Sequence, residues 1–228
     1  MTPIACATLD GPGGWTLDAD GAVIHPGART AVVADVHLGY EWARGAGGDC
    51  LPAHSLAETL AKLGRILDRA AGTVERLVVA GDLVESRRPC LRTDRDRWTL
   101  ARWLHARGIV LVALQGNHDP PRRPAPPETI EVAGWTVGHG HRPIAAPRTI
   151  TGHHHPALRA DGLTAPCFLV APAAIVLPAF SSNAAGVGLA SLGLAVAPGG
   201  SPFRCVAAAG GELLDFGPVA PLLRALRE

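Results

Sequence analysis

TAVVADVH, residues 30–37, is the stretch on which the fold turns. Thr30, Val32 and Val33 are β-branched within an apolar run, the composition of a buried strand. The run then stops on Asp35 and His37, which such a strand does not need. Two residues apart, they project to one face of an extended backbone. The pattern returns twice downstream. VERLVVAGD (74–82) is a second buried run that ends on Asp82, and IVLVALQGNHD (109–119) is a third that ends on Asn117, His118 and Asp119. Helical periodicity fills the intervals. Leu56, Leu60, Leu63 and Leu67 share a face of a helix beginning at Ser55, where Ser55 and Glu58 have the spacing of a capping box. Thr93 is placed to cap a further helix running to Arg107, with Gly108 as its stop. Strand, helix, strand, helix, strand implies parallel pairing through helical crossovers. In open α/β sheets ligands collect at the carboxyl ends of the strands. Gly81 and Gly116 let the chain turn tightly just before the polar residues.

Outward from this frame, WTLDADGAVIH (15–25) reads as an opening hairpin with its turn at Asp20-Gly21. After the proline-rich PPRRPAPP (120–127) the helical period disappears. TIEV, WTVGHG, RTITGH, CFLVAP, AIVLPAF, FRCVAA and ELLDFG predict a second, largely antiparallel sheet, and PLLRALRE adds a final helical turn or two. No repeat or linker interrupts the chain, so residues 1–228 are expected to form one domain.

The 228 residues are 47% hydrophobic and 18% charged, with a formal net charge of +1. That is a globular composition without overall attraction for polyanions. Lys62 is the only lysine, a bias that reads first as genome composition. Cys6, Cys50, Cys90, Cys167 and Cys205 form an odd, scattered set without a C-x-x-C pair, which argues against a disulfide framework and a structural zinc site. No secretory signal is visible, and the longest apolar run, CFLVAPAAIVLPAF (167–180), is too short for a bilayer and broken by Pro172 and Pro178. No membrane association and a cytoplasmic location are the expectation.

Taken singly, an Asp-x-His or a Gly-Asp after a strand is more often a turn than a metal site. Recurrence at three strand ends, with histidines following in GHG and GHHHP, changes the weight. In GHHHP (152–156), His153 and His155 sit two apart and face one side, while His154 points away. WTVGHG (135–140) gives His139 as another strand-end histidine and His141 follows it by two, so either of these could be a ligand. Asp35, His37, Asp82, Asn117, His139, His153 and His155 are seven oxygen and nitrogen donors, too many for one tetrahedral site. They suit two ions that share a carboxylate.

In this order, D-x-H (35–37), G-D (81–82), G-N-H-D (116–119), G-H (138–139) and G-H-x-H (152–155) resemble the signature of the calcineurin-like metallophosphoesterase superfamily. ADVHLGYE, GDLVESRRP, WTVGHGHRP, GHHHPA and VLPAF resemble more narrowly the DNA ligase-associated phosphoesterases called PdeM and, more distantly, the Mre11/SbcD nucleases. The resemblance implies an α/β fold, a four-layer αββα sandwich of two mixed sheets flanked by helices. It implies two divalent metal ions, manganese first, with iron or zinc as alternatives. Asp35, His37, Asp82 and His155 would hold one ion; Asp82, Asn117, His139 and His153 would hold the other. Asp82 and His118 would be catalytic, with His118 protonating or stabilising the leaving oxygen. His141 would then contact phosphate, as would Asn117.

The implied reaction is phosphodiester hydrolysis by a metal-bridging hydroxide. Its expected substrate is DNA, in a repair process with a DNA ligase and a helicase as functional partners. A phosphodiesterase or phosphatase for cyclic nucleotides or nucleotide derivatives is the alternative, and a non-catalytic scaffold a third. One position departs from the pattern: nuclease-type members often carry histidine where this chain has Glu85, whose carboxylate is placed to orient His118. From Arg87 to Arg107 seven arginines face only Asp94 and Asp96, and Arg122 and Arg123 follow. Arg87 and Arg88 are the expected contacts to a nucleic-acid backbone; the other reading of the cluster is a solvated helix face.

Overall fold

The computed structural model describes residues 6–226 except 122 and 161. Arg122 of the basic cluster and the last two residues of PLLRALRE lie outside the described residues. Strands β1 (Thr8–Asp10), β2 (Thr16–Asp18), β3 (Ala22–His25), β4 (Thr30–Val33), β5 (Arg76–Val79) and β6 (Val110–Ala113) form one sheet in that order. The first four pair antiparallel, the hairpin β2–β3 turning where the sequence predicts, and β4, β5 and β6 pair parallel. Helices α1 (Tyr40–Gly45) and α2 (Ser55–Arg69) cross from β4 to β5, and α3 (Leu91–His105) crosses from β5 to β6.

The second sheet contains β7 (Thr129–Val132), β8 (Trp135–Gly138), β9 (Thr149–Thr151), β10 (Pro156–Ala160), β11 (Leu163–Ala171), β12 (Ala174–Val176), β13 (Val187–Gly188), β14 (Arg204–Ala209) and β15 (Glu212–Pro218). Its order is β13-β10-β11-β12-β9-β8-β7, with β14 pairing both β11 and β15. The pairs β8–β9, β9–β12 and β10–β13 are parallel and the rest antiparallel. The sheet is therefore mixed. Two short helices, α4 (Leu189–Leu192) and α5 (Val219–Ala225), complete the chain.

Strand alternation builds the layers. Val32 on β4 and Val78 on β5, with Ala34 and Ala80 just past the ends of those strands, enter a core shared with Ile150 and Phe168 of the second sheet. Their neighbours Ala31, Val33, Leu77 and Val79 pack with Leu63 and Ile66 of α2 and Leu100 and Leu104 of α3. Behind the second sheet, Cys167, Leu169 and Cys205 pack with Leu189 of α4 and Val219 of α5. Helix, sheet, sheet, helix is the αββα sandwich. The opening hairpin is tied to α2 by Arg69, which gives fully buried Asp18 two hydrogen bonds of 2.8 and 2.6 Å.

Local expectations fail at both long helices. No side chain caps α2, whose N-cap is His54. The Ser55 hydroxyl donates instead to buried Glu41 and accepts from Asn183 Nδ2 at 3.1 Å. The buried stripe is Ser55, Thr59, Leu63 and Ile66; Leu56, Leu60 and Leu67 are only partly covered. Burying the Ser55 hydroxyl against Glu41 sets the rotation of the helix. α3 begins at Leu91 with Cys90 as its N-cap, so Thr93 lies inside the helix.

Candidate metal centre

The loops leaving β4 and β5 run side by side, with Asp35 N donating to Gly81 O at 3.2 Å and His37 N to Asp82 O at 3.0 Å. Asp35 (φ 57), His37 (φ 51), Asp82 (φ 50), His153 (φ 68) and His155 (φ 44) all adopt the left-handed backbone conformation. For a residue with a Cβ that costs roughly 1–2 kcal/mol, so its concentration here marks a functional constraint. It also corrects the extended-strand argument. Asp35 and His37 come together through left-handed turns and not through a two-residue strand repeat, and His153 and His155 are left-handed too, with His153 beside His139 and His155 beside Asp35. His154 does turn away, into an apolar cavity with Leu194 and Phe203. Of the two expected turn glycines only Gly81 is left-handed (φ 83). Gly116 serves close approach: a Cβ there would lie 2.1 Å from Asp82 Oδ1.

Asp82 is 2% exposed. Its Oδ1 accepts from His118 N at 2.7 Å, and its Oδ2 lies 3.1 Å from His139 Nε2. Burial alone would raise the Asp82 carboxyl; the hydrogen bond and charge of His139 and the His118 N–H outweigh it and hold the group below the usual carboxylate range. The same pairing raises His139 against the effect of its own burial. His139 Nδ1 donates to the Ala80 carbonyl at 3.0 Å, which fixes the tautomer and turns Nε2 toward Asp82 and toward Asn117 Oδ1, 3.0 Å away. Asp35, fully buried, accepts from His153 N at 2.9 Å and lies 3.2 Å from His155 Nε2. The His153 ring stands 5.0 Å and the His141 ring 5.2 Å from that of His139, and they stand 6.3 Å from each other.

Three groups each bring donor atoms within 4.8 Å of one another: Asp35–His37–His155, Asp35–Asp82–His139 and His37–Glu85–His118. Asp35 Oδ1 and both ring nitrogens of His37 are buried without a hydrogen-bond partner. Yet His37 Nδ1 lies only 2.8 Å from Glu85 Oε2. Nitrogen and oxygen donors this close together and this buried, with Asp35 Oδ1 and both His37 nitrogens left without a hydrogen-bond partner, fit divalent cations of the nitrogen- and oxygen-binding kind. The donor set suits the expected metals.

Comparison with known proteins agrees in fold. The crystal structure of Pseudomonas putida nuclease MPE matches with a TM-score of 0.66 at 26% sequence identity, covering 93% of this chain and 100% of that chain. This chain has a nuclease-like shape. No protein-family model matches the sequence, and no curated protein does either.

At the site the structure corrects the expected role of Glu85, whose carboxylate does not orient His118, and it adds residues that the sequence did not mark. Glu85 holds His118 through its main-chain carbonyl, 2.8 Å from His118 Nδ1, while its carboxylate faces His37. Buried Asp119 braces two loops, accepting from Val84 N at 3.1 Å and Gly116 N at 2.9 Å. Tyr40, Ser181 and Asn183 line a cavity of about 210 Å³ with His37, His118 and His155. No periodicity or motif marks Asn183; its placement depends on a long-range contact with Ser55. Arg87 and Arg88 are exposed and do not line that cavity. A further cavity of about 350 Å³ begins at His139 and His141 and reaches Arg142 and Glu131.

Proposed function

We propose that this protein is a two-metal phosphodiesterase that cleaves DNA. The observation that carries the reading is the buried donor set around Asp35, His37, Asp82 and His139, in which Asp35 and His37 keep unpartnered atoms. Likeness over 93% of the chain to a protein described as a nuclease supports nucleic acid as the substrate. Asp35, His37 and His155 would hold one ion and Asn117, His139 and His153 the other, with Asp82 shared. Divalent ions bound there would bring the pKa of a water toward neutrality and offset the charge on the phosphate oxygens.

The remaining work falls to the chain. His118 donates its Nδ1 proton to the Glu85 carbonyl, so Nε2 is the nitrogen that protonates the leaving oxygen when the ring is charged. His141, with a buried and unpartnered Nδ1, would take a phosphate oxygen. Manganese as the native ion and a role in repair beside a DNA ligase and a helicase belong to the same reading and rest on the sequence resemblance.

Hydrolysis of bis(4-nitrophenyl) phosphate and of a DNA oligonucleotide, with manganese and with a chelator, tests this. Both should require the metal. Asp82→Asn should remove most of the activity, since Asp82 serves both ions. His118→Ala should lower turnover by about 10²–10⁴-fold, the range of general acid catalysis, with metal content nearly unchanged. Hydrolysis that survives chelation would overturn the mechanism, and cleavage of cyclic nucleotides with DNA left intact would favour the small-molecule reading.

A further inference from the structure

A cavity of about 330 Å³ opens where the metal cluster ends. His155 lies on its wall, and the chain continues from there along Pro156 and Ala157 at the start of β10. Ser181 and Ser182 bring hydroxyl groups to it, and α2 brings Lys62. The Lys62 ammonium donates to the Phe180 carbonyl at 2.6 Å and lies 4.4 Å from the centre of the Phe180 ring. Among the described residues no carboxylate forms an ion pair with it. Of the acids nearby, Asp18 is engaged by Arg69 and Asp20 by Arg65 and Arg69, while Glu58, one turn earlier on α2, acts on the ammonium only through space. Burial pushes the Lys62 pKa down to about 8, so the group is still charged at neutral pH.

A cation drawn out of water without a counter-ion is destabilising unless something binds it. The residue type is informative too. Every other basic side chain apart from histidine is arginine, whereas this position holds the compact ammonium that suits a point contact to phosphate.

We propose that this cavity is a subsite for the nucleotide next to the scissile phosphate, with Lys62 holding its phosphate and Pro156, Ala157 and Pro166 facing its sugar and base. The volume is at the low end of the roughly 300–1,000 Å³ typical of small-ligand sites. It has room for one nucleotide and none for a duplex. The assignment rests on the phosphodiesterase reading for the position of the scissile phosphate.

Calorimetric titration of the 5′-phosphorylated thymidine dinucleotide into wild-type protein and Lys62→Met, in the presence of a chelator, tests it directly. Loss of the ammonium should weaken binding about tenfold, the effect of one charge-assisted contact, and Lys62→Arg should recover part of it. Thr164→Trp, at the exposed rim of the cavity, should weaken binding similarly by filling the space, and it keeps the test alive if Lys62→Met folds poorly. Equal affinities for wild type, Lys62→Met and Thr164→Trp would overturn the subsite. Wild-type hydrolysis of bis(4-nitrophenyl) phosphate with manganese, measured alongside, reports on the metal reading alone. Its absence together with Lys62-dependent dinucleotide binding would sink the mechanism and leave the subsite standing.

Discussion

At the scale of single residues, buried charge in this molecule has two fates. Asp82 and His139 satisfy each other, so that burial is offset by a partner. Lys62 is largely covered without an ion-pair partner, and its pKa falls from 10.5 to about 8 as a result. The sign of the stability effect follows from the protons bound. Between pH 8 and 10.5 the unfolded chain holds a proton on Lys62 that the folded chain has released, so this group makes the fold more stable as pH rises through that window. Below pH 8 both states are protonated and the full penalty is present. Lys62→Met removes the penalty and also removes the hydrogen bond to Phe180, and only the first of these depends on pH. The stability of Lys62→Met relative to wild type, from denaturant unfolding, should therefore drop by roughly 3 kcal/mol between pH 7 and 10.5, at about 1.4 kcal/mol per pKa unit. A difference that stays flat across that range would mean that Lys62 is solvated and ordinary.

Elements obey a different logic, and here the sequence is informative in parts. The parallel core β4, β5 and β6 is readable because each strand is a short β-branched or leucine run bounded by turn residues, and such runs have few other ways to be buried. β10 is not, because PALRA has neither alternation nor β-branched residues and forms by pairing with β11. The helix starting at Ser55 is visible as an element, yet its face and cap differ from those its spacing implies. Capping-box spacing is local, whereas the actual partners of Ser55 are Glu41 and Asn183, 14 and 128 residues away. The donor set shows the same division. Its members stand out at strand ends, but the left-handed backbone of five of them and the Glu85 carboxylate facing His37 do not follow from spacing. Two substitutions separate the local from the long-range account of α2. Ser55→Ala should cost about 1–3 kcal/mol, because it leaves the buried Glu41 carboxylate short of a partner. Glu58→Ala, on the exposed side of the helix, should stay within about 0.5 kcal/mol. Thermal unfolding of both variants measures this, and a larger loss from Glu58→Ala would restore the capping box.

For the whole molecule the question is how a chain of formal net charge +1 would attract a polyanion. Three of the seven arginines from Arg87 to Arg107 are already engaged. Arg92 lies 4.9 Å from the Trp42 ring, Arg97 pairs with Asp94 at 3.3 Å, and Arg107 stacks 3.7 Å over Trp103. Arg87, Arg88, Arg95 and Arg102 are exposed and form no ion pair among the described residues. Trp98, 65% exposed on α3, offers a flat face of the kind on which unpaired bases stack. Glu85 opposes attraction at the mouth of the site, but its carboxylate is turned to His37 at 2.8 Å, and a cation held by His37 would neutralise it. The arginines nearest that mouth in sequence are Arg87 and Arg88, so they are the pair to remove. For every phosphate that an arginine no longer neutralises, the plot of log affinity against log salt should flatten by roughly 0.7–0.9, and replacing both by alanine should flatten it by about 1.4–1.8. Fluorescence anisotropy of a labelled oligonucleotide across a salt series, for wild type and the double variant, gives both slopes. A lower affinity with a parallel slope would mean that the substitutions disturbed the fold locally while the phosphates stayed neutralised. Unchanged affinity and slope would make this arginine pair a solvated face and leave DNA held by the cavities around the metal centre alone.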